Sequence, residues 1–216
     1  MTRPLAVLRP EPGNARTAAR IADAGGTAIR LPLFAVVPVA WQAPDPAAFD
    51  ALLVTSANAM RLGGAALARL AALPVHAVGA ATAEAARAAG FRVVTTGGAD
   101  AATLVAGLPP QRLLHLAGRE RVALPGVTAI TVYAADPLPL GTQAVESLAG
   151  SVALLHSVRA ARRLAVLVPP AARAAIRLAA LGPAIAAAAG DGWAQVAASP
   201  HLDDAALVAL ALHLAD

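Results

Sequence analysis

Residues 51–61 read Ala-Leu-Leu-Val-Thr-Ser-Ala-Asn-Ala-Met-Arg, and residues 152–162 read Val-Ala-Leu-Leu-His-Ser-Val-Arg-Ala-Ala-Arg. In both, an apolar run reaches a serine, Ser56 or Ser157, and then turns helical in pattern. A second pair follows at residues 78–83, Val-Gly-Ala-Ala-Thr-Ala, and 181–186, Leu-Gly-Pro-Ala-Ile-Ala. A third closes each half: Gly90-Phe91 and then residues 100–105 are matched by Gly192-Trp193 and then residues 204–208. A long-period duplication of whole strand-helix units implies two similar lobes and not a stack of short repeats. Two lobes imply a cleft between them, the usual place for a ligand.

The pattern around these pairs is α/β. Strands are expected at 5–8, 50–55, 74–78, 92–95, 113–117, 127–133, 152–156, 177–181 and 194–197. Helices are expected at 14–24, 57–73, 80–89, 100–108, 143–148, 158–166, 171–176, 183–189 and 204–214. Short apolar strands alternating with helices predict two doubly wound lobes with parallel sheets. The helix at 57–73 carries Gly63-Gly64 inside it. The second half has almost no counterpart of the helix at 14–24, since residues 120–125 suffice only for a turn. The segments 33–39 and 132–138, each punctuated by proline, read as crossings between the lobes.

Bulk properties narrow the class. Of 216 residues, 58% are hydrophobic, but alanine accounts for much of this. The longest uncharged stretches, 31–44 and 122–135, contain prolines and fall short of the roughly 20 apolar residues a spanning helix needs. No apolar core follows a basic start, so no signal peptide is expected, and a cytoplasmic location fits the absence of cysteine. All 17 basic residues are arginine, scattered along the chain, and aromatics are 3%. Nucleic acid is therefore not an expected partner. The five histidines, His76, His115, His156, His201 and His213, have no metal-ligand spacing. Neither GxGxxG, GxxxxGK[ST] nor GxSxG occurs.

What remains is a set of strand-to-helix turns. In open α/β sheets the site lies beyond the carboxyl ends of the strands, where helix N-termini offer free N–H groups to carboxylate or phosphate. Four turns stand out: Thr55-Ser56-Ala57-Asn58, Gly79-Ala80-Ala81-Thr82, His156-Ser157-Val158-Arg159 and Gly182-Pro183-Ala184. Serine also caps many helices with no ligand in view, but the recurrence in both halves points to function. Tyr133, the one tyrosine, lies in an expected crossing strand, where a phenol either donates a proton or packs. Arg9, Arg119 and Arg159 end or follow strands; they form ordinary surface pairs or, if they face one cleft, attract a polyanion.

Taken in order, these pieces resemble the uroporphyrinogen-III synthase family. They are Val7-Leu8-Arg9-Pro10, residues 53–59, residues 77–83 with Gly90-Phe91, Val132-Tyr133, the second serine turn and residues 181–184. The resemblance covers essentially the whole chain and implies a discontinuous lobe, 1–33 with 139–216. It also implies a second lobe, 40–131, and two linker strands, 34–39 and 132–138. It implies no cofactor and no metal. The implied reaction closes hydroxymethylbilane with loss of water and inversion of ring D. Tyr133 matches the tyrosine proposed to assist departure of the hydroxyl. Ser56, Asn58, Thr82 and Ser157 match cleft-lining positions, and Ala57, Gly79, Ala81, His156, Gly182, Pro183 and Ala184 complete their turns. Arg9, Arg119 and Arg159 would meet the eight carboxylates of the substrate. Two departures stand out: Ile185 occupies a position where many members have threonine, and the helix after Arg119 is nearly deleted. A monomer is expected, with hand-over of the labile substrate from hydroxymethylbilane synthase. Two other classes remain: a non-catalytic two-lobed module closing on an anion, and a membrane-associated scaffold suggested by hydropathy alone. Tetrapyrrole turnover, binding without turnover, and detergent-dependent solubility separate the three.

Overall fold

Four-residue runs such as Ala51–Val54 and Val152–Leu155, fully buried along their length, pair in parallel because both faces of each sheet are covered. The computed structural model describes residues 2–98 and 100–216; Met1, within the expected first-lobe range, lies outside them. Along the chain come β1 (Leu5–Val7), α1 (Gly13–Asp23), β2 (Ala28–Arg30), β3 (Phe34–Pro38), β4 (Ala51–Val54), α2 (Ala57–Leu62) and β5 (Val75–Val78). Then follow α3 (Ala80–Ala88), β6 (Val93–Gly97), α4 (Ala101–Ala106), β7 (Leu113–Gly118), β8 (Thr128–Pro137), α5 (Thr142–Glu146) and β9 (Val152–Leu155). The chain closes with α6 (Val158–Leu167), α7 (Pro170–Arg173), β10 (Arg177–Ala180), α8 (Pro183–Ala188), β11 (Gln195–Ala198) and α9 (Asp204–Ala215).

The elements form two compact units, Met1–Ala35 with Pro137–Asp216, and Val36–Asp136. The first holds a five-stranded sheet ordered β11-β10-β9-β1-β2, and the second a six-stranded sheet ordered β3-β8-β7-β4-β5-β6. The two orders show how the duplication is used. The pair β1–β2, from the first half of the sequence, joins β9, β10 and β11 of the second half; β7–β8, from the second half, joins β4, β5 and β6 of the first. The repeats have exchanged their leading strand pairs. Of the expected crossing segments, the first holds β3 and the second the end of β8, which pairs with β7 along its first part and continues beside β3 at the sheet edge. There, the Val39 N–H donates to the Val132 carbonyl (3.1 Å) and the Leu138 N–H to the Leu33 carbonyl (3.0 Å).

Alternation along the strands sorts the cores. In the first unit, Leu5, Val7, Val152 and Leu154 face Ile21 of α1 and Leu207 and Ala211 of α9, all buried. In the second, Leu52, Val54, Leu114 and Leu116 face Met60 of α2 and Ala83 and Ala86 of α3. The opposite face of that sheet carries the buried His76 and His115. No helix fills residues 119–127. Instead the Arg121 guanidinium donates to the Gly118 carbonyl (3.1 Å) and to Thr131 Oγ1 (2.8 Å), holding the loop against β7 and β8.

One expected element is broken. The helix over 57–73 stops at Leu62, and a 3-10 segment, Gly64–Leu70, replaces its continuation. Gly64 sits at φ +65, a left-handed turn that glycine enters without steric cost. At Gly63 a Cβ would fall 2.7 Å from the Ala59 carbonyl oxygen, so this corner needs glycine twice for different reasons. A further 3-10 turn, Pro46–Ala48, was not expected; the Asp45 side chain caps it. Among the described residues no helix is long and apolar enough to cross a membrane.

Candidate functional site

In the second unit the adjacent parallel strands β7, β4 and β5 end at one edge of the sheet. That edge gathers Gly118-Arg119, Thr55-Ser56 and Gly79. Ser56 Oγ accepts the Asn58 N–H (3.2 Å) and caps α2, leaving Ala57 in the first turn. Beneath it, the Thr55 hydroxyl lies 2.9 Å from His115 Nε2. Burial, reinforced by the Arg121 charge, pushes the His115 imidazole down to about 4, so it stays neutral near pH 7. Gly79, at φ +84, turns β5 into α3 with no side-chain cap. Ala80 and Ala81 are exposed in that uncapped first turn, whereas Thr82 is buried. An uncapped helix start presents unpaired N–H groups and partial positive charge.

Tyr133 lies on β8 opposite Gly118, half-buried against the core of this unit. Among the described residues no side chain hydrogen-bonds its hydroxyl. Arg119 donates its backbone N–H to the Tyr133 carbonyl (2.9 Å) and pairs its guanidinium with Asp136 (2.6 Å).

The first unit repeats the arrangement at the carboxyl ends of β1, β9 and β10. Ser157 Oγ accepts the Ala160 N–H (3.1 Å) and caps α6. Gly182 and Pro183 open α8 with no side-chain cap; Gly182 is buried, while Pro183 and Ala184 are exposed. Ile185 is half-buried beside them. The Arg159 guanidinium stacks over Phe34, 4.4 Å from the ring centroid.

Asp204 organises this edge, and neither motif nor spacing marked it. Its Oδ1 accepts from Thr17 Oγ1 (2.7 Å) and Arg9 (3.1 Å) and lies 2.9 Å from His156 Nε2, while Oδ2 accepts from Arg20 (3.3 Å). Burial alone would raise this carboxyl. The hydrogen bonds from His156 and Thr17 and the charges of His156 and Arg9 outweigh it and hold the pKa at about 2. Arg9 and His156, expected to meet substrate, are thus engaged by an internal carboxylate. The sequence pairing set Asp204 beside Asp100, yet the residue that caps α9 as Asp100 caps α4 is Asp203. Asp204 is thereby free to turn inward. Only its side-chain bonds identify it, three of them to residues 184 to 195 positions away, and no local pattern carries those.

The described residues contain no group of three or more histidines and carboxylates placed to hold a metal ion. The two edges each assemble small residues and helix starts, an arrangement suited to binding carboxylates by backbone N–H groups.

Residues 15–209 match the HEM4 family, uroporphyrinogen-III synthase HemD. Among solved structures, the uroporphyrinogen-III synthetase of Helicobacter pylori is similar with a TM-score of 0.70 at 17% identity, over 98% of this chain and 99% of that one. A mutant uroporphyrinogen III synthase of Thermus thermophilus is similar with a TM-score of 0.55 at 18% identity, over 96% and 97%. At these identities the likeness is one of fold. Curated proteins give no match. The family match spans nearly the whole chain, both units included, and on it the chain belongs to the uroporphyrinogen-III synthase family.

Proposed function

We propose that this chain cyclises hydroxymethylbilane to uroporphyrinogen III with Tyr133 as the group that assists loss of the hydroxyl. The family match over residues 15–209 carries the reaction. The Tyr133 phenol supports its own part: it is half-exposed and hydrogen-bonded to no described side chain. The hydroxyl of the ring A hydroxymethyl group takes a proton and leaves as water, and the methylene carbon left on the ring becomes a cationic azafulvene. Ring D attacks through its substituted carbon to form a spiro intermediate, which fragments and recloses with ring D inverted. The Tyr133 phenol hydrogen-bonds or protonates the departing oxygen. Most of the acceleration comes from holding a flexible chain in the closing geometry and from dipoles aimed at developing charge.

The eight substrate carboxylates meet the turns at Ser56, Ala57 and Asn58, at Gly79, Ala81 and Thr82, at Ser157, and at Gly182, Pro183 and Ala184. The uncapped start of α3 supports this most directly. Arg9, Arg119 and His156 contribute at longer range, since Asp204 and Asp136 already engage them; Arg159 adds positive charge beside Phe34. The protein works as a cytoplasmic monomer that accepts its labile substrate from hydroxymethylbilane synthase. Among the described residues the exposed large apolar side chains, Val94, Val122, Val166, Val196 and Leu202, fall at separate points of the sequence and form no run, which supports a monomer.

The test is a coupled assay in which hydroxymethylbilane is generated in situ and the oxidised I and III isomers are separated. The III isomer is expected only with the protein present, and Tyr133→Phe is expected to lower kcat by about a hundredfold to ten-thousandfold. Only the I isomer, from a folded sample, would leave a binding module. A full rate from Tyr133→Phe would remove the phenol from the mechanism.

A further inference from the structure

Strand β7 ends at a glycine whose backbone does not require one. Gly118 is buried and is not among the glycines at positive φ, so its conformation is open to any residue. What excludes a side chain is Tyr133. A Cβ built on Gly118 would lie 2.9 Å from Tyr133 Cζ, 3.0 Å from Cε2 and 3.0 Å from the phenolic oxygen. The hydroxyl-bearing end of the ring therefore occupies the space of the missing side chain.

The sheet arranges this deliberately. The register between β7 and β8 slips between Ala117 and Gly118, so Thr131 stands opposite Ala117 but Tyr133 stands opposite Gly118. Such an irregularity re-aims a side chain. The backbone around the contact is pinned on both sides. The Arg119 N–H holds the Tyr133 carbonyl, and Arg121 bridges the Gly118 carbonyl and Thr131 Oγ1. No described side chain holds the hydroxyl, so its place is set by the ring lying on bare backbone.

We infer that Gly118 is a positioning residue for the Tyr133 hydroxyl in ring closure, which rests on the reading of Tyr133 given above. The glycine lets the hydroxyl end of the phenol rest against β7 with its proton and lone pairs left for substrate. A methyl group there lifts the far end of the ring. Because the atoms it meets are the far end of a half-exposed side chain, the fold survives and the reacting geometry does not. Displacements of about 1 Å are enough to lower rates by as much as a hundredfold.

The experiment uses the full chain labelled at tyrosine Cζ with carbon-13, where the single tyrosine gives one assignable signal. Gly118→Ala is expected to move that signal and to lower kcat by about tenfold to a hundredfold while KM stays within about twofold. In a Tyr133→Phe background the same substitution is expected to cost no further rate, since the hydroxyl is already gone. An unmoved signal, or a full rate from Gly118→Ala beside a slow Tyr133→Phe, overturns the inference for Gly118 alone. A moved signal with full rates from both single variants overturns the reading of Tyr133 and the inference with it. Should Gly118→Ala fail to fold, Gly118→Ala with Tyr133→Ala is expected to fold, because the ring it would meet is absent; failure of that pair overturns the steric argument.

Discussion

A single carboxylate, Asp204, fixes how the charge of the first unit is used. Thr17 and Arg20 of α1 converge on it with Arg9 and His156, which lie just beyond β1 and β9. Its pKa of about 2 lies below the unfolded value of 3.8. The stabilisation is therefore complete above about pH 4 and is lost as pH falls through 2, because the unfolded chain then takes up a proton that the folded one resists. Asp204→Asn is expected to lose about 2 kcal/mol in urea unfolding at pH 7, with a gap to the native protein that shrinks at pH 2.5. A gap of the same size at both values would trace the loss to shape and not to charge. At this scale the sequence is unevenly legible. Ser56 and Ser157 were legible because a serine after a buried strand caps the next helix whatever else it does. Tyr133 had no local signal and came from resemblance. Asp204 and Gly118 escaped because the first acts through partners far along the chain and the second through what it lacks.

Elements were more legible, and for a simple reason. A parallel sheet covered on both faces demands continuous apolar runs, so Leu52, Leu53 and Val54 announce a strand without any alternation. Their ends were clear where a side chain does the capping and obscure where backbone conformation does. The break after Leu62 is of the second kind: a glycine pair inside a helical pattern is compatible with a weak helix or with a left-handed turn, and the packing of Ala59 and Leu67 around Gly63 selects the turn. Capping also separates structure from function at the serine turns. Ser157→Ala is expected to cost about 1 kcal/mol by thermal or urea unfolding, and Ser157→Gly only a few tenths, since glycine tolerates the cap conformation. If Ser157→Ala is as stable as the native protein yet slower in isomer formation, the hydroxyl serves the substrate and not the helix.

For the whole molecule, the duplication in sequence foretold two similar sheets but not which strands build them. Periodicity is blind to exchange: the swap of β1–β2 against β7–β8 leaves every local pattern unchanged. The discontinuity was legible only through resemblance. Its consequence lies in time. During synthesis, residues 36–136 emerge as one uninterrupted stretch and hold all of their own sheet except the start of β3 and the last residue of β8, whereas β1 and β2 need β9, whose first residue is Val152. At ordinary rates of translation the N-terminal piece waits about 6 to 24 seconds for that partner. Ribosome-stalled chains with residue 136 just outside the exit tunnel should resist protease from residue 36 onward and be cut before it. Protection of residues 2–35 at that length would mean that β1 and α1 find another cover. The exchange of two strand pairs thus sets the birth order of the protein: the inserted unit matures first, and the unit that surrounds it in sequence begins as an orphan at the tunnel mouth, with its leading strand, Leu5–Val7, the segment most in need of a chaperone.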